Sequence, residues 1–266
     1  MSGQDLPRLD VYMVEHGLAE SREKAQGLVM AGRVRVDGAA VTKAGTAVRD
    51  GSVVDVAPGP SHVGRGAVKL AGALDAFGIA PRDQVAVDVG ASTGGFTETL
   101  LERGARLVYA VDVGRAQLHE KLSADPRVVV LDGVNARGLS PREVPEACAL
   151  ATVDVSFISV LKILPALRSV LAKEADAVVL VKPQFEVGRF RVGRGGIVRD
   201  ARMHLQALRD VAWSATKEIG YGIKGACASP ITGAEGNREF FLHLSLYQRP
   251  LATEAFDRMI QAAVGE

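Results

Sequence analysis

The short, largely apolar run Val85–Val89 stops at Gly90, and Ala91-Ser92-Thr93 then leads into Gly94-Gly95 before a helix-compatible stretch begins at Phe96. A strand that enters a helix through such a turn must be covered on both faces, and its parallel neighbour must return by a crossover. The chain keeps that rhythm. Further strands are predicted at Leu107–Asp112, Val128–Leu131, Leu150–Val155 and Ala177–Val181. Helices are predicted after Gly94, up to about Leu122, and within Val160–Ala172. The end differs: a long helix over Met203–Ile219 precedes two strands, Ile223–Ala228 and Phe240–Tyr247, with only a loop between them. The pattern predicts an α/β fold, a doubly wound and mostly parallel sheet closed by an antiparallel hairpin.

Residues 1–57 read as a separate small α+β unit. Leu9, Tyr12 and Met13 form an apolar stripe closed by Gly17, and Ser21 is placed to cap a helix carrying Ala25, Leu28 and Val29 that stops at Gly32. Arg33–Val36 and Ala39–Thr42 flank Asp37-Gly38, a pair that favours a two-residue hairpin turn. A last strand, Ser52–Val56, runs into Ala57-Pro58-Gly59-Pro60, so residues 58–64 are expected to link this unit to a domain spanning 65–266.

Composition mainly excludes. No apolar run approaches the ~20 residues that span a bilayer, and Cys148 and Cys227 lie far apart without metal-ligand spacing. A soluble, cytoplasmic protein without a metal site is expected. The net charge of +1 decides nothing, but Lys182 to Arg202 holds six basic residues (Lys182, Arg189, Arg191, Arg194, Arg199, Arg202) against two acids, a local positive patch.

The ends of the first three predicted strands aim at one crevice, where ligands bind in open α/β sheets. The G-x-x-x-G-G spacing departs from the dinucleotide fingerprint. Gly94 and Gly95 let the backbone approach a ligand at the following helix. Asp112 is placed to accept ribose hydroxyls, and Asp132 to reach an adenine amino group. Asp88 either accepts a ligand ammonium or braces the loop.

Residues 1–57 resemble the small RNA-binding domain named after ribosomal small-subunit protein four, through Arg8-Leu9-Asp10, Ser21-Arg22, Ala25, Gly32–Gly38 and Val41-Thr42-Lys43. The resemblance implies phosphate contacts from Arg8, Arg22, Lys24, Arg33, Arg35 and Lys43. The remainder resembles the FtsJ-type ribose methyltransferases, whose Lys-Asp-Lys-Glu tetrad falls on Lys69, Asp154, Lys182 and Glu239. Further matches are Gly66-Ala67, Asp154–Ser159, Lys182–Glu186 and Gly195–Val198. With both domains present, the chain is similar over nearly its full length to the haemolysin-A-like rRNA methyltransferases.

That resemblance implies a Rossmann-like fold and S-adenosylmethionine held by Asp88, Gly90, Ser92, Gly94, Gly95, Phe96, Asp112, Asp132 and Asn135. The implied activity is 2′-O-methylation of cytidine ribose in small- or large-subunit rRNA, with Arg65, Arg189, Arg191 and Arg194 on target phosphates. Phe185 or Phe190 is a candidate to stack on a base, and the target nucleotide is expected to flip from its helix. The chemistry is consistent: a sulfonium is already an excellent leaving group, so the protein must align and polarise a poor hydroxyl nucleophile, work suited to two lysines held by two acids.

Rival readings make distinct demands. An amino-group methyltransferase is expected to carry an Asn/Asp-Pro-Pro-aromatic turn where this chain has Asp154-Val155-Ser156-Phe157, and a carbon-five enzyme needs a nucleophilic cysteine. A pore-forming haemolysin needs a membrane-active helix, yet the C-terminal candidate Thr253–Val264 is short and charged. A pseudouridine synthase has no need of the glycine turn, and an NAD-dependent oxidoreductase remains a further alternative.

Overall fold

The computed structural model describes residues 6–30, 32–57, 62–188, 192–233, 235–247 and 253–265. Most of the expected linker, residues 58–61, lies outside them, as do Arg189, Phe190 and Arg191; the side chain of Arg194 is likewise not described. The chain divides into two compact units, Met1–Ser61 and His62–Glu266.

In the first unit, α1 (Leu9–Glu15) and α2 (Arg22–Met30) accompany a three-stranded antiparallel sheet of order β2-β1-β3, with β1 Val34–Val36, β2 Ala39–Val41 and β3 Val54–Val56. Val36 pairs with Ala39 across Asp37 and Gly38, both in left-handed backbone, giving the type I′ hairpin expected from the Asp-Gly pair. Ser21 Oγ accepts from the Lys24 amide at 3.2 Å, the anticipated cap. Leu9, Met13, Ala25, Val29, Val34 and Val48 fill the core. Beside them Asp10 is fully buried and accepts from Arg8 at 3.0 Å, Arg22 at 3.2 Å and Gln26 at 2.8 Å, contacts that outweigh burial and hold its carboxyl far below the usual range.

The second unit is built on a seven-stranded sheet of order β6-β5-β4-β7-β8-β10-β9. The strands are β4 Val85–Val89, β5 Leu107–Asp112, β6 Val128–Asp132, β7 Cys148–Val153, β8 Leu171–Val181, β9 Gly222–Ala228 and β10 Phe240–Ser245. Strands β4 to β8 pair in parallel; β10 runs antiparallel to both β8 and β9. This is the expected doubly wound sheet with a terminal antiparallel pair. The period-two alternation sends the side chains of one strand to opposite layers. Val85, Val87 and Val89 join Val179, Val181, Leu208 and Val211 in one apolar cluster, whereas Ala86, Val178 and Leu180 join Leu70, Leu74, Leu100 and Phe241 in the other.

Helices α3 (Gly66–Phe77) and α4 (Gly95–Glu102) supply the second layer. The first is covered by α6 (Leu164–Arg168), α8 (Ala201–Ser214) and α9 (Thr253–Val264), with α5 (Glu120–Ser123) and α7 (Pro183–Glu186) as single turns between strands. Several boundaries shift by one or two residues from the sequence reading, and two differ by more. Strand β8 starts six residues before Ala177, because the exposed pair Lys173-Glu174 interrupts its apolar pattern without ending its ladder. The helix expected to reach Ile219 changes to a π-helical turn over Ala215–Ile219, stopped by Gly220 in left-handed backbone.

Candidate active site

Strand β4 delivers the chain to Gly90, whose backbone is left-handed and where an added Cβ would strike the Asp154 carbonyl. Only glycine lets the ends of β4 and β7 come this close. Beyond it opens a cavity of about 530 Å³, lined by Gly90, Ser92, Asp112, Asn135, Asp154 and the run Val155–Ile158 among others. We call it the donor cavity. Asp112 sits at the tip of β5 in its wall and is already tied to the loops: Oδ2 accepts from the Ser92 amide at 2.8 Å and Oδ1 from the Gly114 amide at 2.7 Å. A carboxylate has about four lone-pair sites, so two remain for ligand hydroxyls. Asn135 lines the same wall, with its Oδ1 capping the turn over Ala136–Gly138.

Asp88 takes the bracing role, one of its two readings, and Asp132 and Gly94 do not line the cavities. Asp88 is fully buried below the cavity, with Oδ1 accepting from Thr152 Oγ1 at 2.8 Å and Oδ2 from Thr97 Oγ1 at 2.7 Å. It braces β4 against β7 and α4, and burial pushes its carboxyl up to about 7. Asp132 lies outside the donor-cavity lining, and its Oδ2 accepts from the Ala116 amide at 2.8 Å. Gly94 has φ 101°, a backbone that favours glycine, and a Cβ there would press on the Leu118 and Leu122 side chains. Gly95 and Phe96 line a smaller pocket of about 120 Å³ with Gly90, Ser92 and Asp154, and Phe96 is otherwise packed near Phe241.

The four tetrad candidates form two short ion pairs. Lys69, on the first turn of α3, places Nζ 2.6 Å from Glu239 Oε2, and both side chains are buried. Lys182, just past β8, places Nζ 2.6 Å from Asp154 Oδ1. It also donates to Ser156 Oγ at 2.8 Å. The hairpin explains the juxtaposition: Phe240 pairs with Val181, so Glu239 enters β10 at the rung where Lys182 leaves β8. Lys69, Lys182 and Glu239 line a second cavity of about 540 Å³, the acceptor cavity. Asp154 faces the donor side, and Ser156 and Phe157 line both cavities.

Three residues of this site were not assigned a task from sequence. Ser156 fixes the Lys182 ammonium. Asn237, almost fully buried, accepts from the Val198 amide and donates to the Gly196 carbonyl, both at 2.9 Å, and so ties the glycine-rich loop to the turn before Glu239. Phe157 is 91% exposed in left-handed backbone (φ 65°), its ring 5.3 Å from that of Phe185, on the acceptor-cavity wall. An unburied aromatic in a conformation that costs of order 1–3 kcal/mol is a mark of function rather than of core packing. Its one sequence signal was membership of the Asp154–Ser159 motif.

The expected RNA contacts separate by engagement. Arg8 and Arg22 are exposed but anchored on Asp10, Arg33 donates to the Ala57 carbonyl at 2.8 Å, and Arg65 to the Thr232 carbonyl at 2.6 Å. Lys24 pairs with Glu20. Arg35 and Lys43 are exposed on and beside the hairpin. Neither cysteine lines the three cavities, and burial pushes the Cys148 thiol to about 12 and the Cys227 thiol to about 11, which removes the nucleophile a carbon-five enzyme needs.

Residues 62–246 match the FtsJ-like methyltransferase family model and residues 7–54 the S4 domain model. The chain is 45% identical over 262 residues to the 16S/23S rRNA (cytidine-2′-O)-methyltransferase TlyA of Mycobacterium tuberculosis, covering 97% of each. It is 40% identical over 240 residues to Hemolysin A of Brachyspira hyodysenteriae, covering 89% of this chain and 98% of that one. A solved structure of a putative hemolysin from Streptococcus thermophilus, 40% identical, superposes with a TM-score of 0.74 over 98% of this chain and 97% of its own.

Proposed function

Because the chain belongs to the FtsJ-like methyltransferase family, we propose that it methylates the ribose 2′-oxygen of cytidine in ribosomal RNA, with S-adenosylmethionine as donor. The observation that carries this reading is the meeting of two cavities at Ser156 and Phe157, with two Lys–acid pairs beside them, Lys69–Glu239 buried and Lys182–Asp154 partly exposed. The donor cavity fits the cofactor in volume, and in polarity through Asp112 and Asn135. When bound, S-adenosylmethionine supplies a methyl group on a sulfonium.

The chain supplies alignment and charge. Lys182, steadied by Asp154 and Ser156, polarises the attacking hydroxyl and stabilises the negative charge that grows on its oxygen as the hydroxyl proton is given up to water. Lys69, held by Glu239 at the other wall, adds a second positive charge. Phe157 and Phe185 offer aromatic faces for a base turned out of its helix. Arg35 and Lys43 of the first unit contact phosphates, and Arg189, Arg191 and Arg194, in the sequence after Lys182, are candidates for the same task. Two ammonium groups stabilise charge growing on an alkoxide and disfavour the positive charge that grows on an attacking amine, which favours ribose over base-amine modification. Among the described residues no helix is long and apolar enough to cross a membrane, which lends the pore-forming alternative no support.

The test is tritiated methyl transfer to separated ribosomal subunits, with wild-type protein and Lys182→Ala side by side. Label in ribose of one or both subunits, lost in the variant, is expected. Label in a base, or undiminished transfer by the variant, would overturn the reading.

A further inference from the structure

Glu186 stands four residues beyond Lys182, at the end of α7, and lines none of the three cavities. Both oxygens of its half-buried carboxylate are nevertheless engaged. Oε2 accepts from Ser159 Oγ at 2.6 Å and Oε1 from the Val160 amide at 3.0 Å. Both partners sit where the loop after β7 enters the turn over Val160–Lys162, which Ser159 itself caps through the Leu161 amide. The other end of the same loop is held by Lys182, through Asp154 and Ser156. One short segment, Lys182–Glu186, thus clamps one short loop, Asp154–Val160, at both ends.

Between the two clamps the loop carries Val155, Ser156, Phe157 and Ile158, which together form a wall of the donor cavity; two of them, Ser156 and Phe157, also wall the acceptor cavity. Phe157 is the strained member, in left-handed backbone with its ring exposed. Such a conformation persists only where its surroundings over-determine it. The Lys182 end alone leaves Phe157 on a loop free to relax at its far side, whereas the pair of hydrogen bonds to Glu186 closes that freedom.

We propose that Glu186 is a positioning residue for methyl transfer: by fixing Ser159 and Val160 it holds one loop conformation that shapes the donor and acceptor cavities together. This rests on the assignment of the two cavities made above. Burial raises the Glu186 carboxyl, and its protonated form, like glutamine, still accepts the Val160 amide on one oxygen and can donate to Ser159 from the other, so the clamp survives protonation.

The experiment uses the full chain and compares wild type, Glu186→Ala and Glu186→Gln in steady-state tritiated methyl transfer across pH, with S-adenosylhomocysteine affinity by calorimetry and thermal unfolding alongside. Glutamine can still accept the amide and meet the serine hydroxyl, so it should recover most of what alanine loses. Expected for Glu186→Ala is a fall in kcat of about 100-fold, the scale of a small misalignment of reacting groups, with RNA KM little changed and the folded state retained. Because protonated glutamate offers the same acceptor and donor as glutamine, wild type and Glu186→Gln should share one pH profile. A kcat within about twofold of wild type for Glu186→Ala overturns the proposal, as does parallel loss of kcat, ligand affinity and melting temperature without rescue by glutamine. A wild-type protein inactive on ribosomal RNA would instead overturn the functional reading, while the calorimetry would still report whether Glu186 shapes the donor cavity.

Discussion

Lys182 Nζ lies 2.6 Å from Asp154 Oδ1, an ion pair whose two members follow adjacent parallel strands and face adjacent cavities. Removing the lysine leaves the attacking hydroxyl without its nearest positive charge. Lys182→Ala should lower kcat by roughly 10²- to 10⁴-fold, the range for a positioned proton-handling group, in the tritiated transfer assay. Lys182→Arg should not restore it, because a planar guanidinium cannot reproduce a compact ammonium held between Asp154 and Ser156. Restoration by arginine would show that charge alone suffices.

The Lys69–Glu239 pair separates stability from catalysis. Glu239→Ala strands a buried ammonium and is expected to cost about 3–5 kcal/mol in urea unfolding. The double replacement Lys69→Met with Glu239→Met removes both charges and should regain most of that stability while staying inactive. If the double variant is no more stable than Glu239→Ala, the pair's cost lies elsewhere, in packing.

Asp88 reverses the pH dependence usual for an ion-paired carboxylate. Its folded pKa, about 7, lies above the unfolded value near 3.8, so between these the folded state binds the extra proton. Stability from this group is therefore full below about pH 4, declines as pH rises toward 7, and is flat beyond. The total is on the order of 4 kcal/mol. Asp88→Asn, which stays neutral and can still bond Thr97 and Thr152, should flatten that slope in urea midpoints taken across roughly pH 4 to 8. An unchanged slope would assign it to other groups.

The two thiols should be silent in the native protein. With Cys148 raised to about 12 and Cys227 to about 11, neither presents thiolate at neutral pH, and Ellman's reagent should react with them only after unfolding. The Cys148→Ala, Cys227→Ala double variant is expected to retain methyl transfer. Loss of activity without loss of fold would reopen the carbon-five mechanism.

On the hairpin, Arg35→Ala and Lys43→Ala should each reduce the salt dependence of rRNA binding by about one counterion, read by fluorescence anisotropy across a potassium chloride series. Asp10→Ala should behave differently. It removes the anchor for Arg8, Arg22 and Gln26 and should unfold the first unit rather than change the slope.

Much of this was legible in the sequence because the signals are local. The doubly wound architecture followed from the alternation of short apolar runs, and the Asp37-Gly38 hairpin and the Ser21 cap followed from backbone preferences of single residues. The tetrad was legible through the family resemblance, not through spacing, since Lys69 and Glu239 are brought together only by the packing of α3 near the start of β10. Asp88 and Asp132 show the limit of the strand-end rule: it places an acid near the crevice but does not say whether the protein's own hydroxyls and amides have claimed it. Phe157 and Asn237 escaped for a related reason. A strained φ and a buried amide are properties of a closed loop and leave no periodic trace.

The position of β10, between β8 and β9, sets the order in which the enzyme can be completed. A nascent chain that has emerged only as far as β9 already possesses every residue of the donor cavity, and Lys69 and Lys182 as well, yet has no acid to hold Lys69. Glu239 arrives with the strand that must insert beside β8 and cover its open edge. The donor cavity is thus encoded entirely before the strand that brings Glu239, and the acid that holds Lys69 is the last part of the site to be made.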